Sequence, residues 1–239
     1  MCTVTYIPQE NNTFILTSNR DEAVGRKTLP PDFYDIEDVK MLFPKDAVAG
    51  GSWIGLSEKN RLVCLLNGGF KKHLRQERYR MSRGIIVKEL LKTDAFEDTL
   101  YGFDYKGVEP FTIVAISWET TLVAFELVWD GELSHIRKLD STPHIWSSST
   151  LYTDDMKDKR KKWFSAFLDQ NQTESFEDMF NFHTEAGEGN PNVDILLDRG
   201  LLKTVSITQV RKTEEDCKMR YHDLLREEVY DTEFEMVTV

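Results

Sequence analysis

Four residues in the first third of the chain have side chains suited to nucleophilic catalysis: Cys2, Arg20, Asp21 and Asn67. Cys2 directly follows Met1. If Met1 is removed, Cys2 carries both a thiol and a free α-amine. An α-amine has an ordinary pKa of about 7.7–8.0, so near neutral pH it can take the thiol proton. A nearby guanidinium favours the thiolate, the nucleophilic form, and Arg20 supplies one. Asp21 can hold the ammonium or the Arg in place. Asn67 closes an apolar run and precedes Gly68 and Gly69, and an amide N–H at a buried strand end can donate to an oxyanion. Each residue also has a plainer reading: a small apolar residue in an edge strand, a surface ion pair, an Asn-Gly turn.

These groups need positioning. Two β-rich runs, 3–7 and 13–17, surround a Pro/Asn stretch at 8–12 and read as a hairpin. Pairing Ile7 with Phe14 and Val4 with Thr17 places Cys2 opposite Asn19 and Met1 opposite Arg20. Asn19, Arg20, Asp21 and Glu22 close the hairpin. Residues 23–45, polar and with Pro30, Pro31 and Pro44, read as a long loop with a short strand near 41–43, able to wall a pocket. Residues 50–56 and 62–69 then give two strands around a polar turn. The second is a continuous apolar run, so both of its faces are expected to be buried.

Residues 71–83 hold a basic cluster: Lys71, Lys72, Arg75, Arg78, Arg80 and Arg83. A solvated loop leading into a helix is the plain reading, attraction of an anionic substrate or partner the sharper one. Ser82 is the expected N-cap of a helix over 83–91 with Ile85, Ile86, Leu90 and Leu91 on its apolar face. Asp94 is the expected cap of a second helix bearing Phe96, Leu100 and Tyr101. A four-strand antiparallel meander follows at 111–117, 122–129, 133–139 and 144–149, ending in Ser147, Ser148 and Ser149, which are either hydroxyl donors or routine caps. A helix over 154–170 has Met156, Trp163, Phe164, Phe167 and Leu168 on its apolar side, with 157–162 mostly exposed. A further helix is expected over 175–183, a short one over 194–197, and strands over 205–210, 218–225 and 233–239.

The composition narrows the functional class. The 239 residues carry a net charge of −11, which argues against a nucleic-acid binder. No run approaches the ~20 apolar residues of a membrane-spanning helix, and no signal-peptide pattern opens the chain. Cys2, Cys64 and Cys217 lie far apart, which suggests neither a disulfide framework nor a zinc site, and a reducing, cytoplasmic setting is expected. His73, His135, His144, His183 and His222 have no metal-ligand spacing and read as surface or polar-core residues, so no metal and no cofactor is expected. An axial haem ligand among them is not singled out by spacing.

Nine or ten strands and two helical blocks exceed what one open sheet holds. The layered solution is an α+β, four-layer αββα sandwich of two antiparallel sheets forming a single domain over 1–239, with the N-terminal strand central and its end opening to a cleft.

Cys2 after Met1, the hairpin into Thr17-Ser18-Asn19-Arg20-Asp21-Glu22, and Gly51-Ser52-Trp53-Ile54-Gly55-Leu56 leading to Leu66-Asn67-Gly68 together resemble the NRDE family, which includes the transport and Golgi organization protein. That family in turn resembles N-terminal-nucleophile hydrolases such as choloylglycine hydrolases and penicillin V acylases. The resemblance implies an αββα fold and a cysteine nucleophile acting on non-peptide amides. It gives Cys2 as nucleophile with its own amine as base, Arg20 and Asp21 as support, and Asn67 as oxyanion donor. Asn19, Glu22, Trp53, Ser149 and Lys203 are candidate pocket residues. Ser149 stands where the family carries Asn, and Lys203 is nearest to a late Arg. The resemblance also links the family to haem trafficking, so a non-enzymatic carrier or chaperone for haem or a lipid-like ligand is the alternative. A small-molecule ligand is expected on either reading, with no nucleic-acid partner.

Overall fold

A computed structural model describes residues 3–170 and 175–236. Cys2, Met1 and the end of the strand expected at 233–239 lie outside the described residues. The chain divides into two compact units, residues 1–26 with 141–233, and residues 27–140 with 234–239.

In the first unit, β1 (Thr3–Pro8) and β2 (Phe14–Ala23) form the expected hairpin. Its register differs by one residue from the sequence expectation: Val4 faces Ser18, Ile7 faces Ile15, and Asn19 faces Thr3. The turn is one residue longer because Asn11 and Asn12 both adopt left-handed backbone (φ 58° and 56°), which Asn tolerates better than most residues. A one-residue shift exchanges the faces of every side chain, so the correction matters to the site. The unit also contains β10 (His144–Ser147), β11 (Leu202–Lys212), β12 (Cys217–Asp223) and β13 (Glu228–Phe234). The six strands run in the order β10-β1-β2-β11-β12-β13. The centre is therefore β2 and β11, and β1 lies one strand from the edge.

The helices α3 (Asp154–Gln170) and α4 (Phe176–Glu185) pack on this sheet. Phe164, Phe176, Met179 and Phe182 meet Ile7, Ile15 and Ile195. Ser175 caps α4 in a reciprocal capping box with Asp178. Residues 194–197 make turns rather than the expected short helix, because Ile195 and Leu197 are drawn inward and the Leu197 amide donates to Thr204 Oγ1 at 2.8 Å.

In the second unit, β3 (Thr28–Ile36) and β4 (Val39–Asp46) replace the expected long loop, and the short strand expected near 41–43 falls within β4. Pro30 and Pro31 had argued against a strand. They fall where the β3–β4 register shifts, between Leu29 and Asp32, and β3 is an edge strand, the two settings in which proline is tolerated in a sheet. Next come β5 (Ile54–Ser57), β6 (Arg61–Asn67), β7 (Phe111–Ser117), β8 (Val123–Trp129) and β9 (Ser134–Lys138), giving an antiparallel sheet in the order β3-β4-β5-β6-β7-β8-β9. The meander keeps only three of its four expected strands, since β10 pairs with β1 instead.

Helices α1 (Arg83–Lys92) and α2 (Phe96–Gly102) belong to this unit. Their Ile86, Val87, Leu90, Leu91, Phe96 and Leu100 join Phe111, Ile113, Phe125, Leu127 and Trp129 in one apolar core. Ile85 turns out to be exposed rather than on the apolar face. Ser82 occupies the N-cap of α1 but makes no side-chain cap bond, and Ala95, not Asp94, precedes α2. Asp94 is instead held by Lys59 at 2.7 Å.

Candidate functional site

Strand β2 carries four consecutive polar residues, Asn19 to Glu22, at its C-terminal end. Side chains alternate along a strand. Asn19 and Asp21 therefore face the helices of the first unit, and Arg20 faces the other way.

On the helix face, His183 is fully buried and lies between two partners. Its Nδ1 is 2.7 Å from Asn19 Oδ1, and its Nε2 is 2.8 Å from Thr5 Oγ1. An amide oxygen only accepts, so Nδ1 carries the proton and Nε2 accepts from the Thr5 hydroxyl. Asn19 Nδ2 donates to the backbone oxygens of His183 and Ile195 at 3.2 and 3.1 Å. Burial, helped by the nearby Arg160 cation, pushes the His183 pKa down to about 3, so the ring is neutral at physiological pH. Asn19 is thus occupied as scaffold: it joins β2 to α4 and to the 195 turn.

Asp21 is buried on the same face. Both of its oxygens accept hydrogen bonds, one from the Tyr152 hydroxyl and one from Thr204 Oγ1 at 2.6 Å. Beneath Tyr152 lies Arg160, with its guanidinium carbon 3.4 Å from the ring centroid. Arg160 is fully buried and donates through Nη2 to the carbonyls of Val193 and Asp194 at 2.9 and 2.7 Å. The sequence had placed residues 157–162 on an exposed face. Arg160 departs from that expectation because it falls on the same helical stripe as Phe164, where its stem is covered and its head reaches carbonyls.

On the opposite face, Arg20 is only 3% exposed. It faces Ser206 on β11, and Glu22 is 3.6 Å from its guanidinium. Burial pushes the Tyr221 phenol up, and the Arg20 charge is among those that pull it back. Glu22 also lies 3.7 Å from Arg26. Lys203 is paired across the ladder with Glu22 and holds Asp198 at 2.8 Å. Ser149 is buried beside Ser148, whose hydroxyl is 2.8 Å from Thr150 Oγ1.

Asn67 and Trp53 belong to the second unit. Asn67 ends β6 opposite Phe111, as expected from its sequence setting. Gly68 adopts φ +88°, which favours glycine, and a side chain at position 69 would meet the Trp129 carbonyl at 2.9 Å. Trp53 is buried. Among the described residues, no group of three His, Cys, Asp or Glu side chains is arranged to hold a metal ion, and no helix is long and apolar enough to cross a membrane.

Sequence reasoning missed Thr5, Tyr152, Arg160, His183 and Thr204. His183 had a usable signal: it stands four residues after Met179 and seven after Phe176, on the apolar stripe of α4. Tyr152 and Thr204 had none, because their partner Asp21 is more than 130 residues away in sequence.

Comparison with solved structures gives N-terminal-nucleophile hydrolases. Penicillin V acylase from Agrobacterium tumefaciens aligns over 98% of this chain and 86% of its own, at 10% identity and TM-score 0.52. The N-acylethanolamine-hydrolyzing acid amidase ortholog of Caenorhabditis elegans aligns over 87% and 92%, at 11% identity and TM-score 0.59. A variant of conjugated bile acid hydrolase from Clostridium perfringens aligns over 100% and 99%, at 9% identity and TM-score 0.55. At such identities the likeness shows the fold, which is α+β and N-terminal-nucleophile-hydrolase-like. Comparison with curated protein sequences gives no match. The sequence matches the Transport and Golgi organisation 2 family over residues 1–237, and the chain belongs to that family.

Proposed function

We propose that the protein is a cysteine N-terminal-nucleophile hydrolase acting on a non-peptide amide of a small molecule. With Met1 removed, the Cys2 thiol passes its proton to its own α-amine and attacks the amide carbonyl. A C–S bond forms, the C–N bond breaks, and the leaving amine takes the proton. Water then attacks the thioester, releasing the acid and restoring the thiol. Arg20 is the cation that favours the thiolate, and Asp21 supports the site from the helix face, where Tyr152 and Thr204 hold it and with it the strand. Glu22, Ser149 and Lys203 shape the first unit's side of the pocket, and Asn19 braces the strand from behind. This reading takes residues 1–239 as one functional domain and suits a cytoplasmic protein, where a free thiol survives.

The observation that carries the proposal is a guanidinium, Arg20, only 3% exposed on the strand that pairs with the first strand of the chain. Glu22, 3.6 Å from the guanidinium, helps hold that cation on the strand. The fold likeness supports the proposal further.

The test begins with the intact mass of untagged protein, followed by turnover of a panel of N-acyl amides. Loss of Met1, with turnover abolished in Cys2→Ala and kept in Cys64→Ala, is the expected result. Activity should rise with pH through about 7–8 as the α-amine deprotonates. A retained Met1, or unchanged turnover in Cys2→Ala, overturns the proposal and turns attention to carriage of haem or a lipid-like ligand.

A further inference from the structure

The segment between β6 and α1, residues 68–82, has no regular strand or helix. Two groups stand out among its basic residues and their neighbours. His73 lies 3.2 Å from Glu109, Arg80 donates to the carbonyls of Lys106 and Asp104, and Arg83, at the start of α1, lies 3.2 Å from Glu109. These fasten the ends of the segment. Its base is fixed as well: Gly69 sits against Trp129 and Asp130, and the Phe70 ring meets His135 edge-on at 4.9 Å. The second group, Lys72, Arg75 and Arg78, is exposed and has no ion-pair or hydrogen-bond partner among the described residues. Between them stands Leu74, 94% exposed, with Phe70 53% exposed at the foot of the segment.

A leucine held fully in water gains nothing for folding, and three unpaired cations in a chain of net charge −11 oppose the general character of the surface. We propose that this segment docks on an anionic lipid surface, with Leu74 entering the interface and Lys72, Arg75 and Arg78 pairing with lipid phosphates and carboxylates. Apolar side chains flanked by Lys and Arg bind such surfaces by combined burial and charge. Docking on a protein costs an irregular segment the entropy of becoming ordered, whereas a fluid interface takes it with little ordering. An irregular segment with fully solvated side chains suits the second. The acidic remainder of the molecule is repelled by the same lipids, which leaves this segment as the point of approach.

The experiment is co-sedimentation of the full chain with vesicles of phosphatidylcholine alone and with about 30 mol % phosphatidylserine, the composition range that gives a cytoplasmic-type surface potential. Binding is expected only to the anionic vesicles, falling as salt rises from about 0.1 M to 0.5 M through screening. The triple variant Lys72→Glu, Arg75→Glu, Arg78→Glu should lose binding entirely. Leu74→Asp should weaken it about tenfold, the effect of one lost buried leucine. None of these four side chains has an ion-pair or hydrogen-bond partner among the described residues, so thermal unfolding should stay unchanged and serve as the control. Equal binding to both vesicles, binding to neither, or wild-type binding by the triple variant overturns the proposal. Capture by an immobilised acidic peptide without vesicle binding also overturns it, and assigns the segment to an acidic protein.

Discussion

The two units bury their helices against their sheets in different ways. In the second unit the middle of the contact is hydrocarbon and aromatic, with the buried Arg61 guanidinium confined to the end of α1, where it donates to the Leu90 carbonyl: α1 and α2 place Ile86, Leu90, Leu91 and Phe96 among Phe111, Ile113, Phe125 and Leu127. In the first unit the apolar cluster is smaller, and the middle of the same interface is polar. Thr5, Asn19 and His183 form one chain of hydrogen bonds, and Asp21, Tyr152 and Thr204 form another. Gln209 adds a third by donating to the Phe176 carbonyl at 2.8 Å. A hydrocarbon interface stabilises by area and tolerates small shifts. A buried polar interface contributes little net energy but penalises any arrangement that leaves a member unpaired. The unit holding Asn19 to Glu22 is thus the one whose geometry is fixed by direction rather than by volume.

That contrast predicts different responses to acid, truncation and surface change. The largest effect should come from acid. The His183 pKa is lowered from 6.5 to about 3, so the unfolded chain binds the proton more readily. Its contribution is complete above about pH 6.5 and is lost as pH falls toward 3, on the order of 4 kcal/mol over the window. His222, lowered to about 4 by burial and Arg220, acts in the same direction. Urea unfolding at several pH values should show this slope, and His183→Phe should remove most of it while lowering stability at pH 7.

Truncation in the hydrocarbon core should behave otherwise. Leu127→Ala is expected to cost about 3 kcal/mol at every pH, since it removes packing and no titrating group. A pH-dependent loss there would blur the distinction between the units. Tyr152→Phe should cost roughly 1–2 kcal/mol by removing one hydroxyl from a buried carboxylate. On the proposed mechanism it should also lower kcat more than it raises KM, because Asp21 loses its orientation. Smallest of all, Asp94→Ala should leave the urea-unfolding midpoint unchanged within error. Its ion pair with Lys59 is a surface one, with Asp94 89% exposed.

Much of the fold was legible in local pattern. The helix over 154–170 and the strands of the meander were bounded nearly as found, because their periodicity is strong and their ends carry turn residues. The strand at 28–36 was hidden by Pro30 and Pro31, whose tolerance depends on an edge position that only the assembled sheet supplies. The destination of β10 was equally hidden, since nothing in His144 to Ser147 says whether it continues a meander or crosses to β1.

The candidate site divides along the same line. The types and order of Asn19, Arg20, Asp21 and Glu22 were fixed by sequence alone, as was the glycine-limited strand end at Asn67. Local spacing also determined that 19 and 21 share one face and 20 and 22 the other, once a strand was assumed. Tertiary structure decided what each face meets. It gave Asp21 to Tyr152 and Thr204, Asn19 to His183, and buried Arg160 beneath an aromatic ring. Those partners lie more than 100 residues from the strand they brace. Pairings at that separation are selected by the geometry of the whole sheet, and no short-range pattern encodes them.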